Sequence, residues 1–458
     1  MRKHISVALR LPELARPLLA EAGVVLLGQV LATLGSLACV RYLTRALQPT
    51  VYGELALALT LASLVQQVLL GPVGNAALRF YAPARDAGRL PPVLKAVQKL
   101  GLRMILGIAT AGALTAIALR VFRPQFHVYP VLFALALAMS VGVASMLDGL
   151  QNAARQRGVV AWHQALAQWA RIGGAIGAIS AWGATSASAL FGYLSASVCV
   201  LLSQFAFFKY RLPRGTARYQ PSTDEVQREL RQLWRYAWPF ASWGLFTWAA
   251  MSSDRWSLQA FRSTSEVGMY QALYQLGYYP ITIAAGLITQ LISPIIYNIA
   301  GDASSEPNMR RVDRINNVLI LSCLALTALY WTLTALFHRL LFRILLPPTY
   351  HAVSELLPWM AISGGLFATG QIATVRQMAN RETGQLVSPK VATSLLWILL
   401  NILGARFFGI AGVVYAGAVA SIAYLAWLLL LGRRPHKEST IYPHETQTPG
   451  DRNLTCVN

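Results

Sequence analysis

Apolar positions along this chain come in blocks of roughly 20 residues, the length of a helix that spans a bilayer, separated by short polar breaks rich in arginine. The clearest unit is near the start. An apolar run at 24–40 is followed by a polar hinge at 41–53, ArgTyrLeuThrArgAlaLeuGlnProThrValTyrGly, and by a second run at 55–70 that ends in a basic segment. With its flanks each run predicts one crossing, and together they predict a tight transmembrane hairpin. Ten more blocks follow, at about 100–119, 130–150, 160–181, 186–208, 236–253, 268–298, 316–337, 353–378, 390–407 and 409–431. The block at 268–298 is long and holds Pro280 and Pro294, which predicts a kink or break within it. The pattern gives an all-α membrane protein of about twelve transmembrane helices.

The basic residues supply an orientation. With the N-terminus in the cytoplasm, 29 of the 39 lysines and arginines fall in cytoplasmic segments and nine on the other face, while Arg171 alone lies inside a span. That bias is the positive-inside pattern, and it fits an even number of crossings with both ends cytoplasmic. Residues 1–17 form a basic segment with two prolines, and the apolar segment after it is too long, with many more following, for a cleavable signal. The longest break, 209–235, divides an N-terminal half (18–208, spans one to six) from a C-terminal half (236–431, spans seven to twelve). It begins turn-rich and ends in GluValGlnArgGluLeuArgGlnLeuTrpArg, which reads as an interfacial amphipathic helix. The tail 432–458 is polar and is expected to be disordered.

The halves repeat. GlnAsnAlaAlaArgGlnArgGly at 151–158 aligns without gaps on GlnMetAlaAsnArgGluThrGly at 377–384, and at the same spacing Trp182–Gly183 falls on Phe408–Gly409. A duplication with six spans per copy keeps both copies in one orientation, so it predicts two six-helix lobes related by a pseudo-two-fold along the membrane normal.

Composition agrees with a polytopic membrane protein: 55% hydrophobic and 12% charged residues, with a mean hydropathy of +0.47. A net charge of +21 would suggest nucleic acid in a soluble protein. Here the charges lie between apolar blocks, so orientation explains them and no nucleic-acid partner is expected. Cys39, Cys199, Cys323 and Cys456 have neither metal-ligand nor redox spacing, and no metal or cofactor is expected.

Several stretches resemble one family. ThrArgAlaLeuGlnProThrValTyrGly at 44–53 with AlaLeuArgPheTyrAla at 77–82 is similar to the N-terminal signature of the polysaccharide-exporter, or O-antigen-type, flippases of the multidrug/oligosaccharidyl-lipid/polysaccharide superfamily. SerAspArgTrpSerLeu at 253–258, GlyMetTyrGlnAlaLeuTyr at 268–274, LeuLeuProProThrTyrHisAlaVal at 345–353 and the stretch 401–416 agree in order and spacing. The resemblance covers about residues 20–430. It implies translocation of an undecaprenyl-pyrophosphate-linked oligosaccharide across the bacterial inner membrane, for surface polysaccharide assembly, by alternating access between two lobes. It also implies membrane lipids and polysaccharide polymerase and export machinery as partners, with the chain acting as a monomer and not as an enzyme.

Against that expectation, certain residues stand out. Arg171 sits halfway along the fifth span, where an arginine costs about 2.5–3.5 kcal/mol on insertion scales and so faces a wet cavity or a partner. Its forked donors suit a pyrophosphate; a structural ion pair is the plainer alternative. Arg79 and Arg103, near the cytoplasmic mouth, would draw in an anionic headgroup or simply set orientation. Gln29, Gln66 and Gln275 are intramembrane amides suited to sugar hydroxyls or to helix–helix bonds. Arg41, Arg45, Glu54, Asp254 and Arg255 end spans on the outer face, as gate ion pairs or as ordinary snorkelling side chains. Asp148 is expected to pair with Arg155 or Arg157.

Other classes fit less well. A MATE-like drug/cation antiporter, or another secondary transporter of small amphipathic solutes, would hold a carboxylate deep in its first span, where this chain has only Glu21 at the start. A major-facilitator transporter would carry a GlyXaaXaaXaaAspArgXaaGlyArg-like loop that is not found here. A membrane polymerase or ligase would need a large outer loop with converging catalytic groups.

Overall fold

In a bilayer each backbone N–H and C=O must be satisfied within its own segment, so the apolar blocks fold as helices. The computed structural model describes residues 11–122, 128–211, 221–301, 305–380 and 383–432, and no strand occurs among them. In chain order α1 is Leu11–Ala46. α2 is one rod made of Pro49–Leu64, a π-helical turn Val65–Leu70 and Gly71–Asp86. α3 is Leu90–Phe122, α4 Tyr129–Ala153, α5 Arg157–Trp182, α6 Ser186–Tyr210 and α7 Thr223–Phe261. α8 comprises Thr264–Gly277 and Tyr279–Ala300, α9 is Glu306–Leu345 and α10 is Leu357–Ala379, preceded by a 3₁₀ segment Pro348–Leu356.

The last stretch, Val387–Gly432, is two helices. Gly409 breaks it at φ +61° and ψ −139°. A Cβ on Gly404 would meet the backbone of Gly412, although residues eight apart in a straight helix lie about 12 Å from each other. The chain therefore doubles back, giving α11 (387–408) and α12 (410–432). Arg262 fastens this hairpin by donating from Nε to the Ala405 carbonyl at 2.8 Å and from Nη2 to that of Arg406 at 3.2 Å, near the end of α11 where carbonyls lack helical partners.

Nine helical stretches among the described residues are long and apolar enough to cross a bilayer. The last of them holds both α11 and α12. α5 and α7 fall below that apolarity at 26 and 39 residues, because they bring polar side chains into the bundle. With these counted, twelve spans stand as expected.

Three details differ from the sequence reading. Residues 225–235 are not a separate interfacial helix but the first turns of α7, which opens with a capping box between Ser222 and Glu225. Their apolar side, Val226, Leu230 and Leu233, joins a core cluster with Val93 and Val97 of α3 and Leu147 of α4, which fixes the stretch in place. The hinge at 41–53 is mostly helical, since only residues 47–48 separate α1 from Pro49 at the start of α2. The break in the eighth span falls at Tyr278, just before Pro280, and the helix then continues past position 294. The first ten residues, the turn-rich 212–220 and the tail 433–458 lie outside the described residues.

Both lobes meet where α2 crosses α8. A Cβ on Gly53 would collide with the carbonyl of Thr264, and one on Gly268 with the carbonyl of Pro49. Exchanging the halves exchanges these two contacts, so the pseudo-two-fold passes through the crossing. Gly183 (φ +89°) and Gly409 (φ +61°), aligned by the sequence repeat, make the equivalent tight turns α5–α6 and α11–α12. Around the crossing the largest core cluster joins Leu43, Tyr52 and Leu55 to Leu258, Tyr270 and Tyr350. Tyr52 meets Tyr350 edge-on, ring centroids 6.4 Å apart. The lobes are thus sealed on the face opposite the start of α1 and the end of α12.

Candidate functional site

Beneath that seal lies a cavity of about 620 Å³ between α1, α2, α4, α5, α6 and α8, within the usual range for ligand sites. α5 supplies four polar residues of its wall, His163, Gln164, Gln168 and Arg171. Gln164, Gln168 and Arg171 follow one another at helical spacings of four and three, so they share a face. Arg171 lies 14 residues past Arg157, about 21 Å along the helix, near its middle. Its Nε is buried without a hydrogen-bond partner, and its guanidinium carbon stands 6.0 Å from the centroid of Tyr193. No carboxylate among the described residues forms an ion pair with it.

Asp148 is the one carboxylate on the cavity wall. Gln204 donates to it at 2.6 Å and Gln164 at 3.0 Å, bonds that Arg155 and Arg157 were expected to provide. Gln204 also donates to Gln151 at 2.9 Å, and Gln29 to Gln164 at 3.4 Å. These amides leave Asp148 satisfied and Arg171 uncompensated. His163, buried beside them, contacts the Val159 carbonyl through Nδ1 at 2.8 Å and Ser203 through Nε2 at 3.3 Å.

Gln66 reaches the same cavity from the π-helical turn of α2. The turn closes with the Gly71 N–H on the Gln66 carbonyl, so close that a Cβ at 71 would strike that oxygen. Across from it a Cβ on Gly244 of α7 would strike the Gln67 carbonyl, so α7 packs directly on the widened turn. π-turns recur at functional sites, and no pattern in the sequence marks this one.

Of the six substrate candidates, Arg171, Gln29 and Gln66 therefore line one cavity. Arg79, on the last part of α2, and Arg103, on α3, are exposed and are not among the residues lining it. Gln275 lies in the first half of α8, its Oε1 buried without a partner, away from the cavity lining. Of the glycines beside Arg171, Gly174 sits at a close crossing with Gly192, while Gly173 and Gly177 face open space.

The five gate candidates do not form one cluster. Arg41 and Arg45 are exposed and make no ion pair among the described residues. Glu54 accepts a 2.6 Å bond from Ser186 at the start of α6, within its own lobe. Asp254 and Arg255 are 5% and 7% exposed, and they pair with each other at 3.1 Å inside the C-terminal lobe. Tyr270 donates to Asp254 at 2.7 Å, Arg255 donates to Gln271 at 2.6 Å, and its guanidinium stacks 4.4 Å from the centroid of Tyr274. Sealing falls instead to the glycine crossing and the Tyr52–Tyr350 contact. Gly53 and Tyr350 lie in stretches quoted above for their resemblance, but close helix approach was not legible from either alone.

Comparison with known proteins places this architecture. The model of a family described as polysaccharide biosynthesis protein matches residues 18–300. No protein of curated function matches the chain. Among solved structures, the lipid II flippase MurJ in an inward closed conformation is similar over 91% of this chain and 88% of its own, with a TM-score of 0.68 at 12% identity. The MATE multidrug transporter DinF-BH is similar over 92% of this chain and 95% of its own, TM-score 0.63 at 14% identity. A mutant of the Vibrio cholerae MATE transporter VcmN covers 92% and 96%, TM-score 0.61 at 15% identity. At such identities the likeness is one of fold: a two-lobe, all-helical, multi-pass membrane protein. The matched family model extends over more than half of the sequence, and the chain is a member of the polysaccharide biosynthesis protein family.

Proposed function

We propose that this protein is a flippase that carries an undecaprenyl-pyrophosphate-linked oligosaccharide across the bacterial inner membrane for surface polysaccharide assembly. The cavity takes the polar head while the polyprenyl tail stays in lipid. The observation that carries the proposal is Arg171, a mid-span guanidinium on the wall of a cavity of about 620 Å³, with a buried Nε that no group among the described residues satisfies. A doubly charged pyrophosphate would supply the missing acceptors in forked geometry. Glutamine amides around it suit sugar hydroxyls.

In this reading both chain ends and the α6–α7 connection are cytoplasmic, as the basic residues direct. The cavity, sealed on the opposite face, then belongs to an inward state of an alternating-access cycle. Arg79 and Arg103, exposed on α2 and α3, serve orientation and the first attraction of an anionic head. A second reading, export of a small amphipathic cation, draws on Asp148, since a carboxylate in a cavity can attract one. Arg171 on the same wall opposes it.

Depletion of the protein in its own cell, followed by extraction of lipid-linked sugars, tests the choice. The flippase reading expects a polyprenyl-pyrophosphate oligosaccharide to build up in the cytoplasmic leaflet while surface glycan falls. Normal surface glycan with impaired efflux of lipophilic cations would select the second reading.

A further inference from the structure

The C-terminal lobe contains a counterpart of the cavity described above. It is a pocket of about 110 Å³ between α7, α10, α11 and α12, the helices that the pseudo-two-fold pairs with α1, α4, α5 and α6. The pairing holds residue by residue. Ser145, Gln164 and Arg171 on the large cavity correspond to Gln371, Lys390 and Trp397 on the small pocket, 226 residues on in each case. On the first helix of each lobe Gln29 and Trp243 lie within one position of equivalence, at the spacing of 215 that relates Gly53 to Gly268. The neighbourhood is alike, because in both lobes the first helix touches the position that Gln164 and Lys390 share. Gln29 bonds to Gln164 at 3.4 Å, and the Lys390 ammonium stands 3.6 Å from the centroid of Trp243.

The two lobes thus place their cations at different depths. In the N-terminal lobe the charge is at the middle of α5. In the C-terminal lobe Trp397 occupies that middle position, stacked edge-on against Phe367 at 5.6 Å, and shrinks the space. The charge has moved seven residues toward the start of α11, about 10 Å along the axis. Among the described residues the Lys390 ammonium makes no ion pair and no hydrogen bond, and its one close polar contact is the face of Trp243. An ammonium has three donors, and a ring face occupies one side of it.

We infer that Lys390 and Trp243 form a second binding subsite, on the C-terminal lobe, for an acidic group on the translocated glycolipid. The pocket has room for roughly four waters, enough for a carboxylate or a phosphate but not for a sugar chain. The sugar would lie outside it along Trp243, which is 38% exposed. Gln371 and Ser394 line the same pocket and can donate to the anion. A carboxylate of an acidic sugar and a phosphate of the lipid linkage share this chemistry, and the experiment separates them.

The inference rests on the flippase reading for its biological ligand, but it is tested by direct binding. Full-length protein labelled with ¹³Cε-lysine is studied in detergent micelles by NMR. The chain has six lysines, so the Lys390 resonance is assigned by its loss in Lys390→Gln. Glutamine is what the equivalent position of the other lobe carries, so that variant keeps a side chain the site accommodates. The Lys390 signal should be shifted upfield by the Trp243 ring and lose that shift in Trp243→Leu. Titration with glucuronate, glucose 1-phosphate and neutral glucose follows. Saturable movement with one or both anions and none with glucose supports the subsite, and the stronger anion identifies the source. Lys390→Gln should weaken that binding at least tenfold. No movement, equal movement with glucose, or equal movement with sodium sulfate overturns it. The two readings fail separately. Loss of export in Arg171→Ala with an unresponsive Lys390 removes only the subsite. Normal surface glycan after depletion of the protein, with Lys390 still responding to the anions, removes the flippase reading and leaves the subsite standing.

Discussion

Replacing Arg171 by alanine tests whether the unpartnered guanidinium is there for cargo. Among the described residues no carboxylate pairs with it, and Asp148 on the same wall is already held by Gln164 and Gln204. Removing the arginine therefore strands no opposite charge, which is the step that makes breaking a buried ion pair cost about 3–5 kcal/mol. It also removes a residue that costs about 2.5–3.5 kcal/mol to place at mid-bilayer. Arg171→Ala should reach the membrane at normal level and melt no earlier than wild type. Transport should behave differently. Loss of charge-assisted bonds to a pyrophosphate costs about 1.5–3 kcal/mol, roughly ten- to a hundred-fold in affinity. Arg171→Lys should recover only part of this, because an ammonium lacks the planar fork.

The assay is complementation of a depleted strain, read as surface glycan per unit of membrane protein from an anti-tag blot. Normal expression with glycan down at least tenfold in Arg171→Ala, and intermediate glycan in Arg171→Lys, is the expected pattern. Well-expressed Arg171→Ala with full surface glycan would refute the reasoning. An unstable Arg171→Ala would also refute it, by showing an unrecognised structural partner.

Three other perturbations bear on the rest of the structure. Asp254→Asn leaves Arg255 buried without its counter-charge, so it should cost about 3–5 kcal/mol and deplete the protein from the membrane, seen as a lower melting temperature in detergent; Asp254→Asn with Arg255→Met should regain part of the loss. Tyr52→Cys with Tyr350→Cys, in a chain whose native cysteines are replaced by serine or alanine, should be joined by a short bifunctional thiol reagent, and the joined protein should stop exporting glycan; export at the wild-type rate after complete crosslinking would mean that this face never opens. A reporter active only in the periplasm, fused after Gly432, should stay silent, and activity there would invert the proposed orientation.

The number and order of helices were legible in the sequence because the membrane forces each apolar block into a self-satisfied helix. Even the hairpin between α11 and α12 was visible, since Phe408–Gly409 repeats Trp182–Gly183. The boundaries of α7 were not legible. Residues 225–235 have an amphipathic pattern that fits a bilayer surface and a protein surface alike, and only the neighbouring α3 decides between them. At the site, Arg171 was conspicuous because a charge inside a span is rare. Gln164 and Gln168, on the same helix face, follow from helical spacing once Arg171 is fixed. Asp148 and Gln204 do not, because their meeting depends on how α4 and α6 pack. The outer gate shows the same limit. Asp254 and Arg255 are a charged pair at a span end, and the sequence does not say whether such a pair faces its own lobe or the other one.

That difference between the lobes bears on how the cycle works. In the C-terminal lobe the equivalent volume is taken up by Trp397, Phe367 and Tyr424, packed ring to ring, and below the seam Asp254, Arg255, Tyr270 and Gln271 tie α7 to α8 by short bonds. In the N-terminal lobe the volume stays open, walled by amides whose bonds can be exchanged for bonds to sugar hydroxyls at little net cost. A stiff lobe and a lobe that can exchange its bonds meet at a crossing of two glycines, surrounded by the core cluster that holds Tyr52 against Tyr350. An anion held on Arg171 loads one side of that crossing only. In the proposed cycle, the way to satisfy both Arg171 and Lys390 with a single acidic headgroup is to bring the lobes together at the cytoplasmic face. That movement loosens the Tyr52–Tyr350 contact on the other side of the crossing. Cargo binding and release of the seal are then one rigid-body step, driven by the differential affinity of the closed-in lobes for a doubly held anion.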